Sequence, residues 1–178
     1  MDMTSKSKFL ALVLRHSPQE IDIKLDANGW ADVKELIEKM NSHASDITLA
    51  EMRHIVATDN KKRYSFSEDQ LKIRANQGHS IKVDVGLREA VPPMYLYHGT
   101  ADRFCEVIDG EGLKKMSRLH VHLSTDYQTA VKVGSRHGRT VVYKVFAKDM
   151  HNAGFKFFLS ENNVWLTDRV PPEYMQYS

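Results

Sequence analysis

The sequence predicts an α+β protein of two lobes. Three observations carry this: apolar residues at helical spacing across residues 6–56, a Pro92-Pro93 pair near the middle of the 178 residues, and short strand-like segments beyond it. Residues 6–14 hold Phe9, Leu10, Leu12, Val13 and Leu14, enough to bury one helix face, and Pro18 discourages continuation past Arg15-His16-Ser17. Asp26-Ala27-Asn28-Gly29 is a turn signal. Asp32 with Glu35 starts a second helix that buries Val33, Leu36, Ile37 and Met40. Thr48 with Glu51 makes a capping box for a third, whose apolar stripe is Met52, Ile55 and Val56. Residues 64–66 and 71–73 alternate around Ser67-Glu68-Asp69, as a hairpin does.

Three helices followed by a hairpin is the element order of a winged-helix module. Residues 86–93 read as a linker, which sets the lobes at residues 1–85 and 94–178. In the second lobe residues 94–98, 119–123, 141–146, 155–159 and 164–166 read as strands. Helices are expected over residues 101–109 and 126–133, the latter capped by Thr125 with Gln128 at the third helical position. No internal repeat is visible.

Composition narrows the function classes. Charged residues make up 27% and Gly and Pro are few, which excludes collagen-like and low-complexity chains. A single cysteine, Cys105, excludes an internal disulfide and a multi-cysteine zinc module. The longest apolar run, residues 9–14, is far short of the ~20 residues of a membrane helix and lacks a cleavage site, so a soluble, cytoplasmic protein is expected. Net charge is +2: residues 1–91 hold 14 basic and 14 acidic side chains, residues 92–178 hold 11 and 9. A broad basic face for bulk nucleic acid is thereby disfavoured, and any phosphate must be met by a few placed arginines.

Several polar positions stand out, and each has a plain structural reading beside a functional one. Arg15 ends an apolar helix, where a cation also favours the helix dipole. Arg63 follows Lys61-Lys62, a pattern that most often marks a solvated charge run. Gly78-His79-Ser80 follows the hairpin as a turn would, and His98-Gly99-Thr100 ends a strand as a turn would. His120 and His122 alternate onto one strand face; zinc sites want further ligands at recognisable spacing, so a packed histidine is the commoner reading and no metal is expected. Val164 reads as an ordinary strand residue.

The combination is more specific than its parts. From SKFLALVLRH to NNVWLTDRVPPEY the chain resembles the RNA (tRNA) 2′-phosphotransferase family, enzymes that remove a splice-junction 2′-phosphate from RNA using NAD. The motifs are LRH at Arg15-His16, Arg63 in DNKKRY, NQGHS at residues 76–80, YHGT at residues 97–100 and MSRLHVHLS at residues 116–124. The resemblance implies an N-terminal winged-helix lobe followed by a C-terminal ADP-ribosyltransferase-like mixed β lobe that takes NAD as co-substrate. It implies Arg15, Arg63 and Arg118 as the phosphate grip with His16 completing a catalytic set. A phosphate dianion suits arginine, whose planar fork donates paired hydrogen bonds and stays charged. His98, Gly99, Thr100, His120 (ranked above His122), Ser124 and Val164 are implied on the dinucleotide side, with Gly99 admitting the ligand close to the backbone. His79 and Ser80 are implied as RNA contacts.

Val164 stands where many protein-modifying relatives carry a glutamate, and an apolar residue there avoids repelling an anionic phosphate. The implied reaction passes through an ADP-ribosylated RNA phosphate and yields RNA 2′-OH, nicotinamide and ADP-ribose 1″,2″-cyclic phosphate. The alternatives are an ADP-ribosyltransferase acting on nucleic-acid terminal phosphates and a winged-helix DNA-binding regulator. The third helix, with only Arg53 beside Glu51, makes a poor recognition helix for the latter.

Overall fold

The computed structural model describes residues 1–178, which divide into two compact units, Met1–Gly86 and Leu87–Ser178. Both mix helices with small antiparallel sheets, so the α+β class holds.

In the first unit α1 spans Met3–Arg15. It starts earlier than its apolar pattern because Asp2 caps it: the carboxylate accepts from the Ser5 N–H at 2.7 Å. Leu10, Val13 and Leu14 are fully buried on its inner face, each stabilising the fold by roughly 1.5–3 kcal/mol relative to exposure. A 3-10 turn over Pro18–Ile21 leads to β1 (Ala31–Asp32), α2 (Val33–Ser42) and α3 (Leu49–Thr58). Both expected caps are present. Asp32 accepts from the Glu35 N–H, and Thr48 and Glu51 exchange side-chain and backbone bonds.

Glu51 also receives the buried Lys6 ammonium at 2.9 Å, which ties α1 to the start of α3. β2 (Tyr64–Phe66) and β3 (Lys72–Ala75) form the hairpin, and β1 pairs on the other side of β3 with Ala31 opposite Ile73. Two-residue β1 has no alternation to read, which is why its sequence shows only the following helix cap.

The second unit opens with β4 (Arg88–Glu89) and β5 (Leu96–Ala101). The stretch expected as a bare linker is partly paired: Arg88 lies opposite Leu159, and the Ala90 N–H donates to the Phe157 carbonyl. There follow α4 (Cys105–Glu111), β6 (Leu113–Lys114), β7 (Val121–Leu123), α5 (Tyr127–Gly134), β8 (Thr140–Val145) and α6 (Ala147–Asn152). β9 (Phe157–Leu159), β10 (Trp165–Thr167), β11 (Arg169–Val170) and β12 (Met175–Tyr177) complete the chain. The sheets run β4-β9-β10-β7, β12-β8-β5 and β11-β6, all antiparallel. Leu96, Leu123, Val145, Met150 and Phe157 form the buried core.

Two local expectations are corrected. α5 is capped by Asp126, not Thr125: its carboxylate accepts from the Thr129 N–H and hydroxyl at 2.7 and 2.9 Å. A carboxylate one residue later competes successfully for the same orphan N–H groups. The helix expected from Ala101 begins as a 3-10 turn over Asp102–Phe104 and becomes α-helical at Cys105, because Ala101 still pairs with Thr140 in the sheet.

Two strands of the second unit are joined by one bridge. Tyr97 and Ser124 exchange both backbone bonds at 2.8 Å, linking β5 to the end of β7. That bridge positions the second of the clusters described next.

Candidate functional site

In the first unit, the segment after β3 gathers the expected residues. Arg15 and His16 end α1, where the His16 and Ser17 N–H groups both close onto the Leu12 carbonyl. The Ser80 N–H donates to the Arg15 carbonyl at 3.0 Å, and the Ser80 hydroxyl shares a 2.9 Å bond with His16 Nδ1. Gly78, at φ +88°, lets the backbone pass beneath the Arg15 guanidinium; a Cβ there would sit 3.3 Å from Cζ. Arg63 belongs to the same arrangement. Its carbonyl accepts from the Asn76 N–H at 2.7 Å, and the Asn76 amide donates to the Lys62 carbonyl and accepts from the Ser65 hydroxyl. Residues 76–80 thus bind the end of α1 and the Arg63 turn together.

Arg63 is further held by Asp59, whose carboxylate takes the Arg63 backbone N–H at 2.7 Å and guanidinium Nη1 at 2.5 Å. Arg15 and Arg63 both act electrostatically on Tyr64, whose hydroxyl burial pushes above its ordinary pKa while the two cations pull it back. Lys61-Lys62-Arg63 is therefore more than a solvated run: Arg63 is locked in place by three backbone and side-chain bonds.

His79 departs from expectation. It was expected at the RNA surface, yet its side chain is interior and the residue is only 2% exposed, packed against the position of Gly29. A ring sealed there shapes the turn. Burial lowers its pKa to about 4, with the Arg15 charge reinforcing the shift, so the imidazole is neutral. Its buried Nε2 has no hydrogen-bond partner.

In the second unit a different chain of contacts appears. His98 on β5 donates from Nδ1 to the His122 carbonyl at 2.9 Å, which fixes the ring and places its proton on Nδ1. Burial holds this ring below its ordinary pKa; the bond to His122 opposes that, and Arg118 adds to it. Arg118 donates from Nη1 to His122 Nδ1 at 3.0 Å. Burial also draws Arg118 down from its usual value. Ser124 follows directly, bridged to Tyr97, and Val164 lies one step beyond the last β10–β7 pair, at the end of the β9–β10 turn. The Val164 N–H donates to the Ser160 hydroxyl at 3.0 Å.

His120 is set apart from this chain: its ring rests against Phe158 at 5.8 Å, and burial lowers its pKa, with Lys115 lowering and Asp168 raising it. His122, ranked second from sequence, is the histidine that joins Arg118 to His98. Gly99 has a packing reason for lacking a side chain. A Cβ there would lie 1.7 Å from the Ala130 carbonyl oxygen, so α5 can press onto β5 only over glycine. Thr100 beside it is 7% exposed.

Asn76 and Asp59 are the residues that sequence reasoning left unassigned. A signal existed for both: Asn76 opens the NQGHS motif, and Asp59 stands four residues before Arg63. No group of three His, Cys, Asp or Glu side chains is placed to hold a metal ion, and no helix is long and apolar enough to cross a membrane.

Residues 2–169 match the profile of the family described as RNA 2′-phosphotransferase, Tpt1/KptA. The chain belongs to that family. It is 57% identical over 173 residues to a "Probable RNA 2′-phosphotransferase" of Flavobacterium johnsoniae, covering 97% of this chain and 95% of that one. Proteins of the same name from Fusobacterium nucleatum and Hahella chejuensis are 52% and 51% identical, each over at least 96% of this chain and 93% of the relative. The RNA 2′-phosphotransferases are enzymes, and the arginines and histidines described above lie within the matched residues. RNA is the substrate class that the family name carries.

Proposed function

We propose that this family member is an NAD-dependent RNA 2′-phosphotransferase acting on an internal, splice-junction 2′-phosphate. On this reading the first unit is a winged-helix lobe on the RNA side and the second an ADP-ribosyltransferase-like lobe that takes NAD. The observation that carries it is the segment 76–80, which ties Arg15, His16 and the Arg63 turn into one cationic, hydrogen-bonding group. Arg118, supported by His122, supplies a further guanidinium. The donor set around His98 and Ser124 suits the hydroxyls and carboxamide of a dinucleotide.

In the first step a 2′-phosphate oxygen forms a bond to C1″ of the nicotinamide ribose. The C1″–N glycosidic bond breaks and nicotinamide leaves with the electron pair. In the second step the 2″-hydroxyl oxygen attacks the phosphorus and gives up its proton. The bond from phosphorus to the RNA 2′-oxygen breaks, and that oxygen takes a proton. The products are RNA 2′-OH and ADP-ribose 1″,2″-cyclic phosphate. The arginines stabilise charge building on the phosphoryl oxygens, and His16, held by Ser80, is suited to the proton transfer.

The purified protein should convert NAD and an oligonucleotide bearing an internal 2′-phosphate into those products in equal amounts. Release of no nicotinamide, with the phosphate retained, overturns the proposal. A stable ADP-ribosylated product without cyclic phosphate assigns the chain instead to transfer onto nucleic-acid phosphates.

A further inference from the structure

An open groove of about 390 Å³ runs along the first unit, outside the cluster at residues 76–80. That volume is within the ~300–1,000 Å³ of ligand sites. One wall is the α1 face carrying Thr4, Ser7, Lys8 and Ala11; the other is the end of α3 with His54 and Thr58. Arg63 and Tyr64 close one side.

The spacing along α1 is informative. Residues 4, 8, 11 and 15 recur at three- and four-residue intervals, so they share a helix face. The groove wall therefore continues along the helix toward Arg15. At 1.5 Å per residue, Lys8 lies about 10 Å and Thr4 about 16 Å from Arg15 along the axis. A stacked strand advances ~3.4 Å per nucleotide, so the span to Lys8 corresponds to about three nucleotides.

The lining chemistry suits a sugar–phosphate backbone. Lys8 and Arg63 are the cations of the lining and Asp59 its one carboxylate, already engaged by Arg63 with its side chain only 8% exposed. The exposed Thr4, His54 and Thr58 and the half-buried Ser7 offer hydroxyl and imidazole groups, and no Phe, Tyr or Trp ring is exposed in the lining. Lys6, two residues away, is buried against Glu51. Lys8 is the exposed cation of this face.

We infer that the groove between α1 and α3 holds the RNA strand flanking the 2′-phosphate, through its backbone and without reading its sequence. This rests on the function proposed above, whose site it extends. Backbone contacts of this kind position a nucleic acid and carry no base information.

The test compares two 2′-phosphorylated substrates, a minimal dinucleotide and an oligonucleotide with about four nucleotides on either side. Lys8→Ala should lower kcat/KM on the flanked substrate by about fivefold to tenfold through KM, with the dinucleotide unaffected. The slope of log kcat/KM against log salt on the flanked substrate should become shallower by about 0.7, one phosphate contact on a single strand. Lys8→Glu should fall further on the flanked substrate alone. Equal losses on both substrates, or none on the flanked one, overturn the inference. Should the wild-type protein turn over neither substrate, the proposed function fails, and direct binding still decides the groove. Fluorescence anisotropy with the flanked oligonucleotide should then show about a fivefold weaker Kd for Lys8→Ala, and an unchanged Kd overturns it.

Discussion

His79 is where the structure makes its sharpest physical claim. The ring is 2% exposed, lies near Arg15 and His16, and has its pKa lowered to about 4, first by burial and then by those neighbouring charges. In the unfolded chain the same ring takes up a proton near pH 6.5. Between pH 6.5 and 4 the unfolded state therefore binds more protons than the folded one, so stability rises with pH across that window and is flat above it. The loss relative to pH 7.5 is about 2 kcal/mol at pH 5 and about 3 kcal/mol once pH falls below 4. His79→Gln removes the titration and keeps most of the volume. Urea unfolding followed at the core amides of Leu10 and Ile73 by NMR should show the wild type losing about 2 kcal/mol more than the variant between pH 7.5 and 5. The His79 ring proton signal should titrate near pH 4. Parallel losses in the two proteins, or a midpoint near 6.5, would refute the claim that this ring is held neutral inside the first unit.

Other outcomes follow from the same geometry. Arg63→Ala and Arg118→Ala should each reduce phosphate removal by about a hundredfold or more, the scale of losing one donor from a preorganised anion site, and single-turnover product formation checks this. Asn76→Ala removes the side-chain bonds to the Lys62 carbonyl and Ser65 hydroxyl. It should cost ~1–3 kcal/mol in urea unfolding and lower kcat while leaving KM for NAD unchanged. Gly99→Ala places a methyl group 1.7 Å from the Ala130 carbonyl oxygen, so α5 must leave β5; the dispersed amide signals of residues 87–178 should collapse, and a wild-type spectrum would sink this account.

Much of the fold was legible because local signals agreed with burial. Asp32, Thr48 and Glu51 announced two helix starts, and Leu10, Val13 and Leu14 of the α1 apolar run are buried, while Leu12 is exposed. What escaped was short or non-local. α6 buries only Ala147 and Met150 and is too brief to show a period, while β6, β11 and β12 gain their identity from distant partners. The site was legible as motifs, and less so as contacts. Sequence alternation placed His120 and His122 on one face without saying which meets Arg118; the bond from Arg118 Nη1 to His122 Nδ1 does. Gly99 looked like room for a ligand, and the nearest atom is a helix carbonyl. His79 looked like a turn residue facing outward, but its ring points into the core.

The partners chosen for the arginines bear on what they are kept for. A carboxylate orients a guanidinium well but also cancels its charge, which a phosphate dianion would need. Arg118 is oriented by His122 Nδ1, which can accept that bond only while it carries no proton. Arg15 lies over the Gly78 backbone and near a neutral His79. The His122 contact leaves the positive charge of Arg118 intact. Arg63 does have a carboxylate, and Asp59 also receives its backbone N–H, so much of that carboxylate's use is to cap the turn. A protein with 25 basic and 23 acidic side chains can thus present a strong local cation such as Arg118 at near-zero net charge, by orienting it with a neutral partner.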